Sequence, residues 1–317
     1  SQTIFDLAEM VEAGTTLGPR IYSTGDIFFV SERVCCGQVR SLDDARAMVK
    51  RQKALGATSI KEHTDPRREQ VQWIIQASRE EGLMAVMDPA HGPRRELRTI
   101  MDGATSLEHL YAVTPVKKDV IEVFAKTGAW YVPTLVLSTV EDYYMTSANP
   151  HDDAKARRFI PHMKLDRDIH NYLRWRMPHE WPFSRYGEVL RDIVRAGGKV
   201  GMGSHGQVQG LGAHWEMWAM ASGGLTPHEV LWASTLSGAE GLGLQDDLGS
   251  LEAGKIADLL VLDRNPLTDI KNTNSISYVM KGGVLWNGDT MDEVWPTKRT
   301  RPPANWEGMF RVLPEKP

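Results

Sequence analysis

Gly197-Gly198-Lys199-Val200-Gly201-Met202-Gly203-Ser204-His205-Gly206-Gln207 is the stretch on which the reading of the fold turns. Gly197-Gly198 is a turn signal. Val200 to Gly203 is too short for an amphipathic helix, and its small residues suit a buried strand packed close to other backbone. The strand ends on Ser204-His205, and a loop rich in Gly206, Gly210 and Gly212 follows. A polar residue at the carboxyl end of a buried parallel strand, facing such a loop, is where α/β barrels carry their chemistry. His205 is therefore the first candidate site residue, with a histidine that merely hydrogen-bonds in the loop as the competing reading.

Working outward, the same unit recurs upstream. Gly18 to Gly25 reads as a strand, and Ala57 to Lys61 as the next, tipped by Lys61-Glu62-His63. Leu83 to Met87 ends on Asp88-Pro89-Ala90-His91, Thr105 to Leu107 on Glu108-His109, and Trp130 to Val132 on Pro133-Thr134. Amphipathic helices opened by Ser41, Asp65-Pro66 and Pro115 lie between them, closed by glycines such as Gly56, Gly82 and Gly128. This alternation of strand, polar tip, helix and glycine predicts a parallel sheet with crossover helices. Residues 138–185 break the rhythm. They are charged and aromatic, carry His151, His162, His170 and His179, and read as a helical insertion over one end of the barrel. Downstream, Thr226-Pro227-His228-Glu229 caps a further helix, and a short one follows from Ser237. From Gly249 the texture becomes that of a small β unit, with a hairpin around Gly282-Gly283. The expected division is a barrel domain over 1–248 and a β appendage with an irregular tail over 249–317.

Composition limits the function classes. The 317 residues are 41% hydrophobic and 25% charged with a net charge of −4, an ordinary globular balance that gives no reason to expect nucleic acid or an anionic membrane as partner. No apolar run is long enough to span a membrane. Residues 1–14 read as an amphipathic helix rather than a signal peptide, so the chain reads as starting in the middle of something. Cys35 and Cys36 are adjacent, which argues against a disulfide framework or a cysteine metal site. A soluble protein is expected, cytoplasmic or else periplasmic or secreted within a longer precursor, and a homo-oligomer.

A parallel barrel brings its strand tips to one face, so Lys61, Asp88 or His91, His109 and His205 converge. Imidazoles and carboxylates gathered there suit zinc or a similar divalent ion, which would activate water and polarise a carbonyl. His214 and Glu216 are candidate pocket residues, with loop-stabilising hydrogen bonds as the alternative.

The segment from Gly249-Ser-Leu-Glu-Ala-Gly-Lys-Ile-Ala-Asp258 to Asp263, with Val279-Met-Lys-Gly-Gly-Val284, resembles the C-terminal β segment of the metal-dependent amidohydrolase superfamily. Ser106-Leu-Glu-His109 is similar to that superfamily's sixth-strand histidine motif. Pro133-Thr134-Leu135 and Gly203-Ser-His-Gly-Gln207 with Gly210 to Glu216 resemble a subgroup often fused to a Tol-type β-propeller. The resemblance implies a (β/α)8 TIM-like barrel holding one or two divalent ions, zinc above all, and a hydrolase cleaving an amide or other C–N bond in a small molecule or peptide. Carried over, it places Lys61 where a carboxylated lysine bridges two metals and His109 at the sixth-strand ligand. His91 is preferred over Asp88 at the fifth strand. His205 stands where most of the superfamily has an aspartate serving as general base and ligand. No His-x-His occurs in this sequence, although the resemblance places one on the first strand. The first two strands are therefore expected to be missing, the barrel N-terminally incomplete, and a longer polypeptide or a partner chain its complement. The alternative function is a non-catalytic amidohydrolase-like scaffold or binding module.

Overall fold

The computed structural model describes residues 3–29, 39–63, 67–88, 92–109, 114–172, 174–206, 208–304 and 306–307. The expectations for His91 and for the Cys35–Cys36 pair lie outside them. Six parallel strands make one sheet in chain order: β1 (Phe28–Phe29), β2 (Ser59–His63), β3 (Met84–Asp88), β4 (Ser106–Glu108), β5 (Trp130–Val132) and β6 (Lys199–Val200). Helix α1 (Thr3–Glu12) comes first, and α2 (Leu42–Ala54), α3 (Arg68–Glu80), α4 (Pro93–Met101) and α5 (Lys118–Thr127) connect successive strands. Between β5 and β6 lie α6 (Val140–Ser147), α7 (Ala154–Phe159), α8 (His162–Tyr172) and α9 (Phe183–Arg195). After β6 come α10 (Leu211–Ser222), α11 (Pro227–Ala233) and α12 (Leu236–Gly241). Strands β7 (Leu259–Leu262), β8 (Ile276–Lys281), β9 (Val284–Asn287) and β10 (Glu293–Trp295) form a separate antiparallel sheet in the order β10-β9-β8-β7.

The local signals act as their chemistry dictates. The Ser41 hydroxyl accepts from the Asp44 N–H (3.1 Å) and caps α2. Thr226 and Glu229 form a reciprocal box, the Thr226 hydroxyl accepting from Glu229 N–H (3.2 Å) and the Glu229 carboxylate from Thr226 N–H (2.7 Å). Gly128 ends α5 in the left-handed region at φ 70°. Gly282 and Gly283, both at positive φ, make the two-residue turn between β8 and β9 whose twist matches the paired strands.

One face of the parallel sheet makes the core. Ile60, Met87, Leu107, Tyr131 and Val200 are at most 1% exposed, and each such side chain contributes about 1.5–3 kcal/mol by leaving water. Because side chains alternate along a strand, Lys61, His63, Asp88, Ser106 and Glu108 share the opposite face. The parallel register sets His63 beside Asp88 and Lys61 beside Val86.

Two expectations are corrected. Gly18–Gly25 is not a strand of the sheet. The paired residues are Phe28–Phe29, and the Ser23 carbonyl accepts from Thr58 N–H (3.0 Å) without a ladder following. Arg20 is drawn away by Asp258, just before β7 (2.6 Å), and Gly25 turns the chain at φ 69°. The glycine-rich loop after His205 stops at Gly210, and residues from Leu211 are helical. That helix is apolar almost all round, so no periodic stripe announces it. The aromatic residues of the insertion build its interior: Tyr144 and Trp181 are buried, and Tyr143 packs edge-on to Trp181 (5.3 Å) and tilted against Phe183 (5.2 Å). Trp175 is largely exposed, at 78%. The six strands are those of a TIM-barrel-like sheet, and among the described residues no strand pairing joins β6 to β1.

Candidate active site

The strand tips gather around one carboxylate. Asp88, at the end of β3, has Oδ2 3.1 Å from His109 Nε2, 3.5 Å from Lys61 Nζ and 3.5 Å from His63 Nε2. Burial pushes the Asp88 pKa up, but the His109 hydrogen bond and the charges of His109, Lys61 and His63 outweigh it, and the net direction is down. Asp88 is thus held ionised. The His205 ring meets His109 edge-on with centroids 5.4 Å apart. Its pKa is lowered, first by burial and then by the nearby charges of His109 and Lys61. His205 is therefore neutral at neutral pH, with a lone pair available for a proton or a cation.

Backbone geometry aims these two histidines. His109 and His205 adopt φ of 69° and 53°, a left-handed conformation that costs a non-glycine residue about 1–3 kcal/mol. His109 N–H donates to Val132 O (2.8 Å), so the strand-end turn is held by the neighbouring strand. The glycines before His205 permit close approach: a Cβ on Gly203 would stand 2.7 Å from Val132 Cγ1.

His63, which from the sequence could either supplement the metal site or face solvent, stands in this cluster. The signal was present, since residues two apart on a strand share a face. Glu108 is a further residue of the cluster face: burial raises its pKa against the hydrogen bond from the Ser106 hydroxyl (2.9 Å). Glu62 points the other way, into the helix-covered core. It is 1% exposed, and burial reinforced by Asp88 pushes its pKa up to about 8, against Arg95 and Lys61.

The two candidate pocket residues on α10 face elsewhere. Glu216 is wholly buried and accepts from Leu135 N–H (2.7 Å) and Val136 N–H (2.8 Å). It clamps the turn after β5, whose first residue, Thr134, has a left-handed φ of 52°. His214 Nδ1 meets Thr273 Oγ1 at 3.1 Å, where Trp218 Nε1–H also donates (3.0 Å). Burial pushes the His214 pKa down to about 4. It joins the barrel helices to the segment before β8. Both residues make hydrogen bonds of the kind the loop-stabilising alternative describes.

Burial also pushes the Glu216 pKa up to about 8, against its two backbone hydrogen bonds. The folded chain then holds a proton that the unfolded chain has released. The associated stability is complete below the ordinary carboxylate range and declines as pH rises through about 8. A melting temperature that falls between about pH 6 and pH 8.5 is expected. Glu216→Gln should flatten part of that fall while costing about 1–3 kcal/mol for the mismatched amides; calorimetry across the range checks both.

The donor set is of the kind a divalent cation takes. His109 presents Nε2 to Asp88, and its buried Nδ1 has no hydrogen-bond partner. A ligating histidine commonly shows this arrangement, one ring nitrogen oriented by a carboxylate and the other free for the ion. Residues 2–286 match the amidohydrolase family. The chain belongs to the amidohydrolase family.

Among curated relatives, the ochratoxinase of Aspergillus niger is 24% identical over 328 residues, covering 89% of this chain and 63% of that protein. The chain thus spans somewhat under two thirds of the length of the curated relatives it matches most extensively. The amidohydrolase fold is also seen in solved structures. A Xaa-Pro dipeptidase with bound methionine superposes with a TM-score of 0.67 at 23% identity, over 90% of this chain and 72% of that one. A bottromycin amidohydrolase gives 0.68 at 19% identity, over 91% and 69%. Among the described residues, no helix is long and apolar enough to cross a membrane.

Proposed function

We propose that this amidohydrolase cleaves an amide bond of a small molecule or peptide, using a divalent metal ion, zinc by preference, held at the strand tips. The observation that carries the reading is the convergence of Lys61, His63 and His109 on the Asp88 carboxylate, with His205 alongside. His109 would hold the ion through Nδ1 with Lys61 beside it, while Asp88 orients His109 and His205 stays uncoordinated so that its lone pair remains a base. The bound ion would supply a Lewis acid for the scissile carbonyl and for water.

The chain's own residues do the rest. Asp88, with Oδ2 3.1 Å from His109 Nε2, favours the tautomer with its proton on Nε2, which leaves the Nδ1 lone pair for the site. Neutral His205 accepts the proton of the attacking water on an imidazole nitrogen and returns it to the leaving nitrogen. The two proton transfers restore the resting histidine, so no further acid is required. The family name and relatives named for Xaa-Pro dipeptides and for bottromycin support an amide substrate.

The test is a panel of Xaa-Pro dipeptides and N-acyl amino acids incubated with the purified chain. Hydrolysis that is lost on chelation and restored by zinc is the expected result; no turnover with any zinc-loaded sample would overturn it. One observation favours a second reading as a non-catalytic binding module. Among the described residues, no three histidine, cysteine or carboxylate ligand atoms at the strand tips lie within 4.8 Å of one another. Substrate-panel binding without turnover would establish that reading instead.

A further inference from the structure

We infer that the insertion between β5 and β6 carries a second divalent-metal site, built from His151, His162 and Asp166 and suited to zinc. His151 Nε2 lies 2.9 Å from Asp166 Oδ1, and His162 Nε2 lies 3.2 Å from Asp166 Oδ2. One ligand atom from each of the three residues falls within 4.8 Å of the other two. Ligands at about 2.0–2.1 Å around a tetrahedral ion stand about 3.3 Å apart, and each imidazole already stands at close to that distance from one oxygen of the Asp166 carboxylate. The two imidazoles and one carboxylate are a donor set that zinc accepts, with the fourth position left to water. Asp166 and His162 are partly open to solvent, at 49% and 70% side-chain exposure, which leaves room for that water.

An isolated surface ion pair does not account for the arrangement as well. Exposed pairs contribute about 0–1 kcal/mol and need no shared geometry. Here two histidines from separate elements address the two oxygens of one carboxylate, and both elements are fixed independently of the pair. His162 and Asp166 are one turn apart on α8, which is anchored by Leu165 in a small cluster with Ala156 and Ile160. His151 sits in a short 3-10 turn, Pro150–Asp152, that begins with buried Pro150. The Asn149 side chain accepts from His151 N–H (3.1 Å) and sets that turn. A bound ion would pin this turn to α8 and brace the insertion. None of these residues belongs to the strand-tip cluster, so the inference stands whether or not the chain is a hydrolase.

The test uses the full chain carrying His109→Ala and His205→Ala, so that strand-tip binding is suppressed, stripped with chelator and titrated with Co2+ and then Zn2+. The expected result is about one equivalent of cobalt with visible absorption of tetrahedral intensity, displaced by zinc. Adding His162→Gln or Asp166→Asn, each confirmed folded by circular dichroism, should weaken binding by at least about tenfold and abolish the tetrahedral spectrum. Both exchanges lie on exposed side chains, so folding is expected to survive them. The same titration of the otherwise wild-type chain with His162→Gln keeps the comparison should the double alanine background misfold. Unchanged cobalt stoichiometry and spectrum in both exchanges, or no cobalt bound in the parent, would overturn the site.

Discussion

Asp88→Asn is expected to lower amide hydrolysis by about 10²–10⁴-fold while leaving the fold intact. Asparagine keeps the volume and loses the charge. Asp88 is the one carboxylate shown facing Lys61, His63 and His109 together, so its removal leaves three cationic or proton-donating groups facing a neutral amide. Such a site repels a divalent cation. His109 also loses the acceptor that fixes its tautomer, which turns its free nitrogen from lone pair to N–H. Both effects act on turnover more than on stability, because the side chain is at the strand tip rather than in the helix-covered core. Steady-state kinetics with the best substrate of the panel, alongside circular dichroism and zinc content, is the measurement. Activity within about threefold of wild type would show that the strand-tip cluster is not the reacting centre.

Gly223→Ala should destabilise the chain by about 3 kcal/mol or more, the upper end of what overpacking costs. The reason is tertiary. Helices α9 and α10 cross with Gly187 against Gly223, and a Cβ on Gly223 would fall 1.9 Å from Gly187 C and 2.3 Å from Glu188 N. Those are backbone atoms, so no side-chain rotation relieves the clash and the helices must part. Parting them opens the core around Leu190, Ile193, Ala219 and Met220, each at 0% exposure. Gly187→Ala meets its nearest neighbours at 2.9 Å and should cost less. Gly128→Ala is the contrast: nothing lies within 4 Å of its Cβ and only its φ of 70° is strained, a penalty of about 1 kcal/mol. Denaturant unfolding of the three variants should rank them in that order. Equal losses at Gly223 and Gly128 would mean that helix contact is not what Gly223 serves.

Much of this architecture is local, and what is local was legible. Strands β2 to β5 were readable from short apolar runs ended by polar tips, and helices from Ser41, Thr226 and Gly128, because caps and left-handed glycines act within one turn of chain. The hairpin at Gly282-Gly283 was readable for the same reason. Family membership, too, was visible in the β segment from Gly249 and in Ser106 to His109, and residues 2–286 match the family. Three of the strand-tip candidates, Lys61, Asp88 and His109, stand together, with His205 beside them. Asp88, ranked behind His91 from the sequence, is the residue on which the described cluster centres.

What failed in the sequence reading failed where a partner distant in the chain decides. Gly18–Gly25 has the composition of a strand, yet Asp258, 238 residues away, holds Arg20. His214 and Glu216 looked like site residues because they are polar beside a histidine loop. Whether a helical carboxylate faces substrate or two backbone N–H groups depends on what packs opposite it, and Leu135 and Val136 lie 81 and 80 residues upstream. The aromatic residues of the insertion likewise pack on one another. By itself, then, the sequence determined the strand order, the caps and turns and the residue types at the strand tips, since these follow from neighbours a few positions apart. The tertiary structure alone decided which polar groups meet each other and which meet the backbone, because a buried hydrogen bond is set by the three-dimensional position of both partners.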